Sequence, residues 1–212
     1  MQRRKLLVGG NRRGALAALL LLALTCFAAD TQPLKAREAV YHVGSLLVAA
    51  PAMADPRFRE SVIYLVRHGD DGAFGLMVNR PLTDVPLADL LSGMGIDADD
   101  AEGTVTLHYG GPVEPAAGFV LHSPDYADKD TVVVDGRFAM TTNPEILRAI
   151  GEGRGPSSRI IAFGYAGWAP GQLQGELDDG SWFVVPADEA LVFGDDHADI
   201  WRRALDRRSI DL

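Results

Sequence analysis

Short apolar runs rich in β-branched residues, bounded by Gly, Pro or Asp, recur along most of this chain. They are "VGSLLVAA" (43–50), "SVIYLVRH" (61–68), "FGLMVN" (74–79), "TVTLHYGG" (104–111), "GFVLHS" (118–123), "TVVVDGRFAM" (131–140), "SRIIAFGYAG" (158–167) and "SWFVVPA" (181–187). Runs of this length and composition read as strands. The turn "GDDGA" predicts a hairpin between the second and third runs, and Asp135-Gly136 a turn inside the sixth. Helices are read in three places, besides a helix start at Pro170. "PLADLLSGMG" (86–95) has Leu87, Leu90 and Leu91 at helical spacing and glycines as terminators. Asn143 and Pro144 make a cap and first helical position for a helix ending at Gly151 or Gly153. "HADIWRRALDRR" (197–208) closes the chain. With 47% apolar and 23% charged residues, and neither repeat nor internal linker, residues 43–212 read as one α+β domain.

The N-terminus has a different character. Residues 1–14 carry five positive charges and no acid, and Ala15–Ala29 are an uncharged apolar run. A basic region, an apolar region and small residues at "CFA" (26–28) describe a secretory signal peptide cleaved after Ala28. "NRRGALA" (11–17) also resembles a twin-arginine signal. The apolar run is shorter than the roughly 20 residues of a spanning helix, so no stable membrane span is expected after cleavage. The chain is therefore divided into a signal peptide (1–28), a linker (29–42) and the domain (43–212), with export to the periplasm expected. An uncleaved anchor and a cytoplasmic location are the alternatives. Lipid attachment at Cys26 fits poorly, because "ALT" (23–25) lacks the residues such signals carry.

Export changes what the chain can do. Loss of Arg3, Arg4, Lys5, Arg12 and Arg13, with no acid, lowers the formal net charge of −9 by five, to −14. Cys26 is the only cysteine, so the mature chain has no thiol for a nucleophile, a disulfide or a zinc–thiolate site. So acidic a body repels phosphate backbones, and nucleic acid is not an expected partner. The Arg pairs of "WRRALDRRSIDL" alternate with acids and read as a solvated helix face.

Three loops carry the candidate chemistry. "FGYAGWAPGQLQGE" (163–176) can turn sharply at Gly164 and Gly167 and start a helix with Pro170 in its first turn, leaving Gln172 and Glu176 on one face. It reads either as a ligand cradle with Trp168 as lid, or as a structural plug of Trp168 and Leu173 with Glu176 tying loop backbone. No Ser, Cys or Lys in it supplies a nucleophile. "GGPVEP" (110–115) lacks the nearby Lys of a phosphate cradle and reads as a tight strand connection around Gly110, Gly111 and Glu114. In "MVNRP", Asn79 and Arg80 stand at a strand end, where Arg80 could pair with Glu114, Glu176 or a ligand carboxylate. Asp55 should cap the turn at Pro56, with Phe58 packed inward. His68, His108 and His122 each end a predicted strand, but no metal-ligand spacing joins them, and His42 and His197 read as surface residues. Ser61 and Ser123 lack the Gly-x-Ser-x-Gly elbow of a hydrolase nucleophile.

Four blocks stand in order: "APAMADPRFRESVIYL" (50–65), "HGDDGAFGLMVNRP" (68–81), "YGGPVEPAAGFVLH" (109–122) and "RIIAFGYAGWAPGQLQGEL" (159–177), with "WFV" (182–184) behind. Through them residues 43–206 resemble the YqgE/AlgH family of bacterial proteins. The resemblance implies an α+β domain whose bifurcated, mixed or antiparallel sheet folds into a pseudo-barrel with flanking helices. It implies no settled activity; a role in transcriptional regulation attaches to one branch name. Members usually begin near the position of Tyr41, so the basic, apolar leader is a departure. The reading is a non-catalytic binding or regulatory module that takes a small ligand or a protein partner in a loop-lined cleft. Hydrolase and transcriptional regulator are the alternatives. The candidate ligand-binding residues are Asn79, Arg80, Gly110, Gly111, Glu114, Gly164, Tyr165, Gly167, Trp168, Gln172 and Glu176. No catalytic residue, metal ligand or cofactor is assigned.

Overall fold

Strand β1 (Ser45–Ala49) is buried on both faces, which is why its sequence is continuously apolar rather than alternating. Leu46 and Val48 enter one apolar cluster, Leu47 and Ala49 another on the opposite side of the sheet. Strand β2 (Val62–Gly69) repeats the division, with Val62, Tyr64 and Val66 against Ile63 and Leu65. The computed structural model describes residues 42–97 and 101–208. The expected leader, and the linker up to residue 41, lie outside the described residues.

Strands β2 and β3 (Gly72–Met77) form the expected hairpin, closing at Gly69 and Gly72. Next comes β4 (Pro81–Pro86), a strand the sequence reading leaves out. It is exposed except at Val85, starts and ends in proline, and pairs with β5 (Thr104–Tyr109). Helix α1 (Leu87–Gly93) lies between them. Strand β6 (Val113–His122) starts well before the expected position 118. Its first half, read from the sequence as a loop between two strands, is extended backbone broken by a bulge, and Glu114 there takes φ +47°. Strands β7 (Thr131–Val133) and β8 (Ala139–Thr141) make the second expected hairpin. Helix α2 (Glu145–Gly151) follows, the Asn143 side chain accepting the Glu145 N–H at 3.1 Å.

The long strand β9 (Arg159–Trp168) organises the molecule. One edge pairs with β6. The other edge is shared: β5 runs parallel to it over Ile161–Phe163, and β3 runs antiparallel over Ala166–Trp168. The sheet forks at this point, with order β10-β1-β2-β3-β9-β6-β8-β7 and the β4–β5 branch to one side. It is a curled, mostly antiparallel half-barrel with helices on its faces, an α+β fold. Helix α3 (Gln172–Asp178) begins after Gly171, so Pro170 precedes its first turn instead of lying in it. Strand β10 (Trp182–Pro186) pairs with β1. The single turn α4 (Glu189–Val192), absent from the sequence reading, is capped by Asp188, whose carboxylate accepts the Leu191 N–H at 2.9 Å.

Helix α5 (Ile200–Arg208) buries Ile200 and Ala204 against the first cluster, and the Trp201 indole donates to the Ala49 carbonyl at 2.8 Å. Its arginines are engaged locally: Arg202 with Asp199, Arg207 with Asp188, Arg208 over the Phe183 ring at 3.8 Å. A third cluster, with Leu87, Leu91, Ile146, Leu147 and Ile161, sits under α1 and α2. Among the described residues no helix is long and apolar enough to cross a membrane.

Candidate functional site

The fork depends on three glycines packed backbone to backbone. Gly110 donates to the Phe163 carbonyl at 2.8 Å and accepts from Met77 at 2.9 Å, tying both branches to β9. A Cβ on Gly110 would stand 2.2 Å from the Gly164 oxygen, and one on Gly111 would stand 2.0 Å from the Tyr165 carbonyl carbon. Gly164, at φ +71°, faces the Gly111 oxygen in the same way. These glycines let two chains cross at contact distance. None of the three lines a described cleft. Tyr165 packs between Phe74 and Phe119, and its hydroxyl reaches Glu114 at 3.5 Å, at the rim of the bulge.

Four other candidates come together. Gly167, Trp168, Gln172 and Glu176 line a cleft of about 340 Å³. The turn Met53–Phe58, Pro112 and Val113, and Ser181 with Trp182 complete its wall. Glu176 is the centre of this wall. One of its oxygens accepts both the Trp168 and the Trp182 indole N–H, each at 2.8 Å, and the other accepts Gln172 at 2.9 Å. Gln172 in turn accepts the Ala169 N–H at 3.0 Å. The indoles meet edge to face at 5.9 Å, and Phe58 meets Trp182 at 5.6 Å. Trp168 is only 7% exposed, so it is a fixed wall, not a lid, and Glu176 ties side chains where loop backbone was expected. At the rim Asp55 caps the turn as anticipated, accepting the Arg57 N–H at 2.9 Å and pairing with its guanidinium. That pairing holds the Asp55 carboxyl below its ordinary range.

Asn79 and Arg80 line a different cleft, of about 390 Å³, with Arg59, Glu60, His197 and Trp201. Asn79 is committed to the fold: it accepts the Val62 N–H and donates to the Glu60 carbonyl, both at 2.9 Å, pinning Glu60 at φ +56°. The Arg80 guanidinium donates to the Arg59 carbonyl, in place of the carboxylate partners expected for it.

The strand-end histidines go three ways. His68 stacks near His42, His122 meets Tyr126, and His108 meets His197 at 5.0 Å. His197 is half-buried by that contact, where a surface residue was expected. Both His122 nitrogens are engaged, by the Ser123 carbonyl at 2.7 Å and Thr141 at 2.9 Å, and burial pushes its pKa down. Ser123 donates to Asp125 at 2.6 Å, and Ser61 donates to the Phe58 carbonyl at 2.7 Å. None of the hydrogen bonds described for either hydroxyl joins it to a histidine, so the hydrolase alternative finds no Ser–His pair among the described residues. The Ser123 and Ser157 hydrogen bonds hold the Asp125 carboxyl at about 2. Among the described residues no group of three or more His, Cys, Asp or Glu side chains could hold a metal ion.

A family model described as AlgH-like (DUF179) matches residues 46–212. A UPF0301 protein of Gluconobacter oxydans is 50% identical over 164 residues, spanning 76% of this chain and 88% of that protein. One of Cereibacter sphaeroides is 44% identical over 169 residues, spanning 79% and 92%. Among solved structures, that of the AlgH protein from Pseudomonas aeruginosa superposes with TM-score 0.66 at 36% identity, covering 81% of this chain and 92% of the other. A Corynebacterium diphtheriae protein superposes at 0.63 with 24% identity, covering 81% and 89%, a likeness of fold alone.

Proposed function

The chain belongs to the AlgH-like family, and from that premise we propose that it is a non-catalytic binding module which holds a small ligand in the cleft beside Trp168. The observation that carries this reading is the arrangement of Glu176. Two indoles and an amide converge on one carboxylate, so the cleft wall is rigid before any ligand arrives. A preformed wall spares the ligand the cost of ordering it. The volume of about 340 Å³ lies at the small end of ligand pockets and suits a compact molecule. Residues supplied from four separate segments line the cleft, and the Glu176 carboxylate in its wall is occupied by three side-chain donors.

Export is the second part of the proposal. The basic and apolar N-terminal pattern supports cleavage after Ala28 and work in the periplasm. One experiment addresses both parts: native mass spectrometry of the protein recovered from fractionated cells. The expected result is a chain beginning at residue 29 in the periplasmic fraction, carrying a small non-protein mass. Ala54→Trp, at an exposed position on the cleft rim, should lose that mass with an unchanged melting temperature. A full-length mass in the cytosol ends the export reading, and an adduct that survives Ala54→Trp ends the cleft reading.

A further inference from the structure

Arginines such as Arg57, Arg67, Arg137 and Arg154 pair with a carboxylate a few residues away. Arg59 and Arg80 differ. Among the described residues neither guanidinium forms an ion pair, although both line the cleft of about 390 Å³ together with Glu60. Arg59 is exposed. The bond from Arg80 to the Arg59 carbonyl uses Nη2 and fixes the guanidinium without neutralising it. Its Nε and Nη1 keep surface open to solvent. The backbone beneath is locked as well. The Tyr109 N–H donates to the Arg80 carbonyl at 2.8 Å, and buried Asn79 holds Glu60 in the left-handed region at φ +56°. Side chains rarely adopt that region, and such strain gathers where a ligand site needs a fixed geometry.

Two guanidiniums against the one carboxylate of Glu60 leave this cleft positive in a chain of net charge −9. Ala198 and Trp201 bring the start of α5 to its wall, where the helix dipole favours negative charge. Asp199 between them is engaged by Arg202, and Asp195 and Asp196 do not line the cleft. Trp201 gives its indole N–H to the Ala49 carbonyl, so it offers the cleft an apolar ring, beside Pro56 and Ala198. A guanidinium fork matches the two oxygens of a carboxylate. A single negative charge balances the cleft, whereas the second charge of a phosphate would face Glu60. We propose that this cleft binds a small monocarboxylate, its oxygens held by Arg80 and Arg59 and its apolar body laid against Trp201. No lining residue is shared with the cleft beside Trp168, so the two sites stand or fall separately.

The test is an NMR titration of the full-length protein at physiological ionic strength with propionate, benzoate and inorganic phosphate, following the Arg80 Nε–H and the indole N–H signals. Propionate or benzoate should shift Arg80 and Trp201 saturably and leave the Trp168 and Trp182 indoles unmoved. Arg80→Gln should abolish the response. Arg59→Gln, at an exposed position, should weaken it about tenfold and keeps the test valid where the first variant does not fold. Glu60→Gln should strengthen phosphate binding relative to the carboxylates. The proposal is overturned by the absence of a saturable Arg80 shift with both carboxylates, by shifts that persist unchanged in the arginine variants, or by phosphate binding the wild type as tightly as either carboxylate.

Discussion

His108 gives the molecule a measurable acid sensitivity. Its folded pKa of about 4 lies below the ordinary 6.5, so the unfolded chain binds the proton more tightly. The contribution is fully present above pH 6.5 and is lost as pH falls through 4, on the order of 3 kcal/mol over that window. His122, its pKa also lowered by burial, acts in the same direction. Asp125, held at about 2, adds its own loss only between its ordinary 3.8 and 2. Urea unfolding of the wild type should show the midpoint falling steadily from neutral pH to about pH 4, and His108→Phe should flatten that slope. Equal slopes in the two proteins would remove His108 as the cause. Glu176 illustrates a different residue-scale economy. Its carboxylate is satisfied by three side-chain donors, which explains how a charged group can stand against two buried tryptophans.

At the scale of elements, the glycine crossing is the feature least tolerant of change. Gly111→Ala would drive a methyl into the Tyr165 carbonyl, a backbone contact with nowhere to relax, and should cost more than about 4 kcal/mol or prevent folding. Gly136→Ala provides the control: φ is +81° there but nothing lies within 4 Å, so about 1 kcal/mol is expected. Thermal melts of the pair decide the matter, and similar midpoints would mean the backbones can part. The strands buried on both faces were legible in the sequence because double burial leaves a continuous apolar run. Strand β4 was not, since it is polar, edged by prolines and held only by β5. The first half of β6 was hidden by Pro115 and its bulge. The candidate site was legible in part: Gly167, Trp168, Gln172 and Glu176 lie close in sequence and stay together. Arg80 misled because a distant backbone carbonyl, which no side-chain pattern advertises, took its guanidinium. His197 misled because its partner His108 is joined to it only by tertiary packing.

For the whole molecule, Arg202, Arg207 and Arg208 of α5 are engaged by Asp199, Asp188 and the Phe183 ring. Its three clusters are joined through β9, which contributes Ile160 and Ala162 to the first, Ala166 and Trp168 to the second and Ile161 to the third. A fragment of residues 42–157 should therefore lack cooperative unfolding in a urea titration, although it holds eight of the ten strands. A sharp transition in that fragment would show that the clusters stand without their common strand. Order of synthesis gives this dependence a further meaning. A ribosome delivers β3, β5 and β6 long before the segment all three must join, so the emerging polypeptide stays open and threadable until nearly complete.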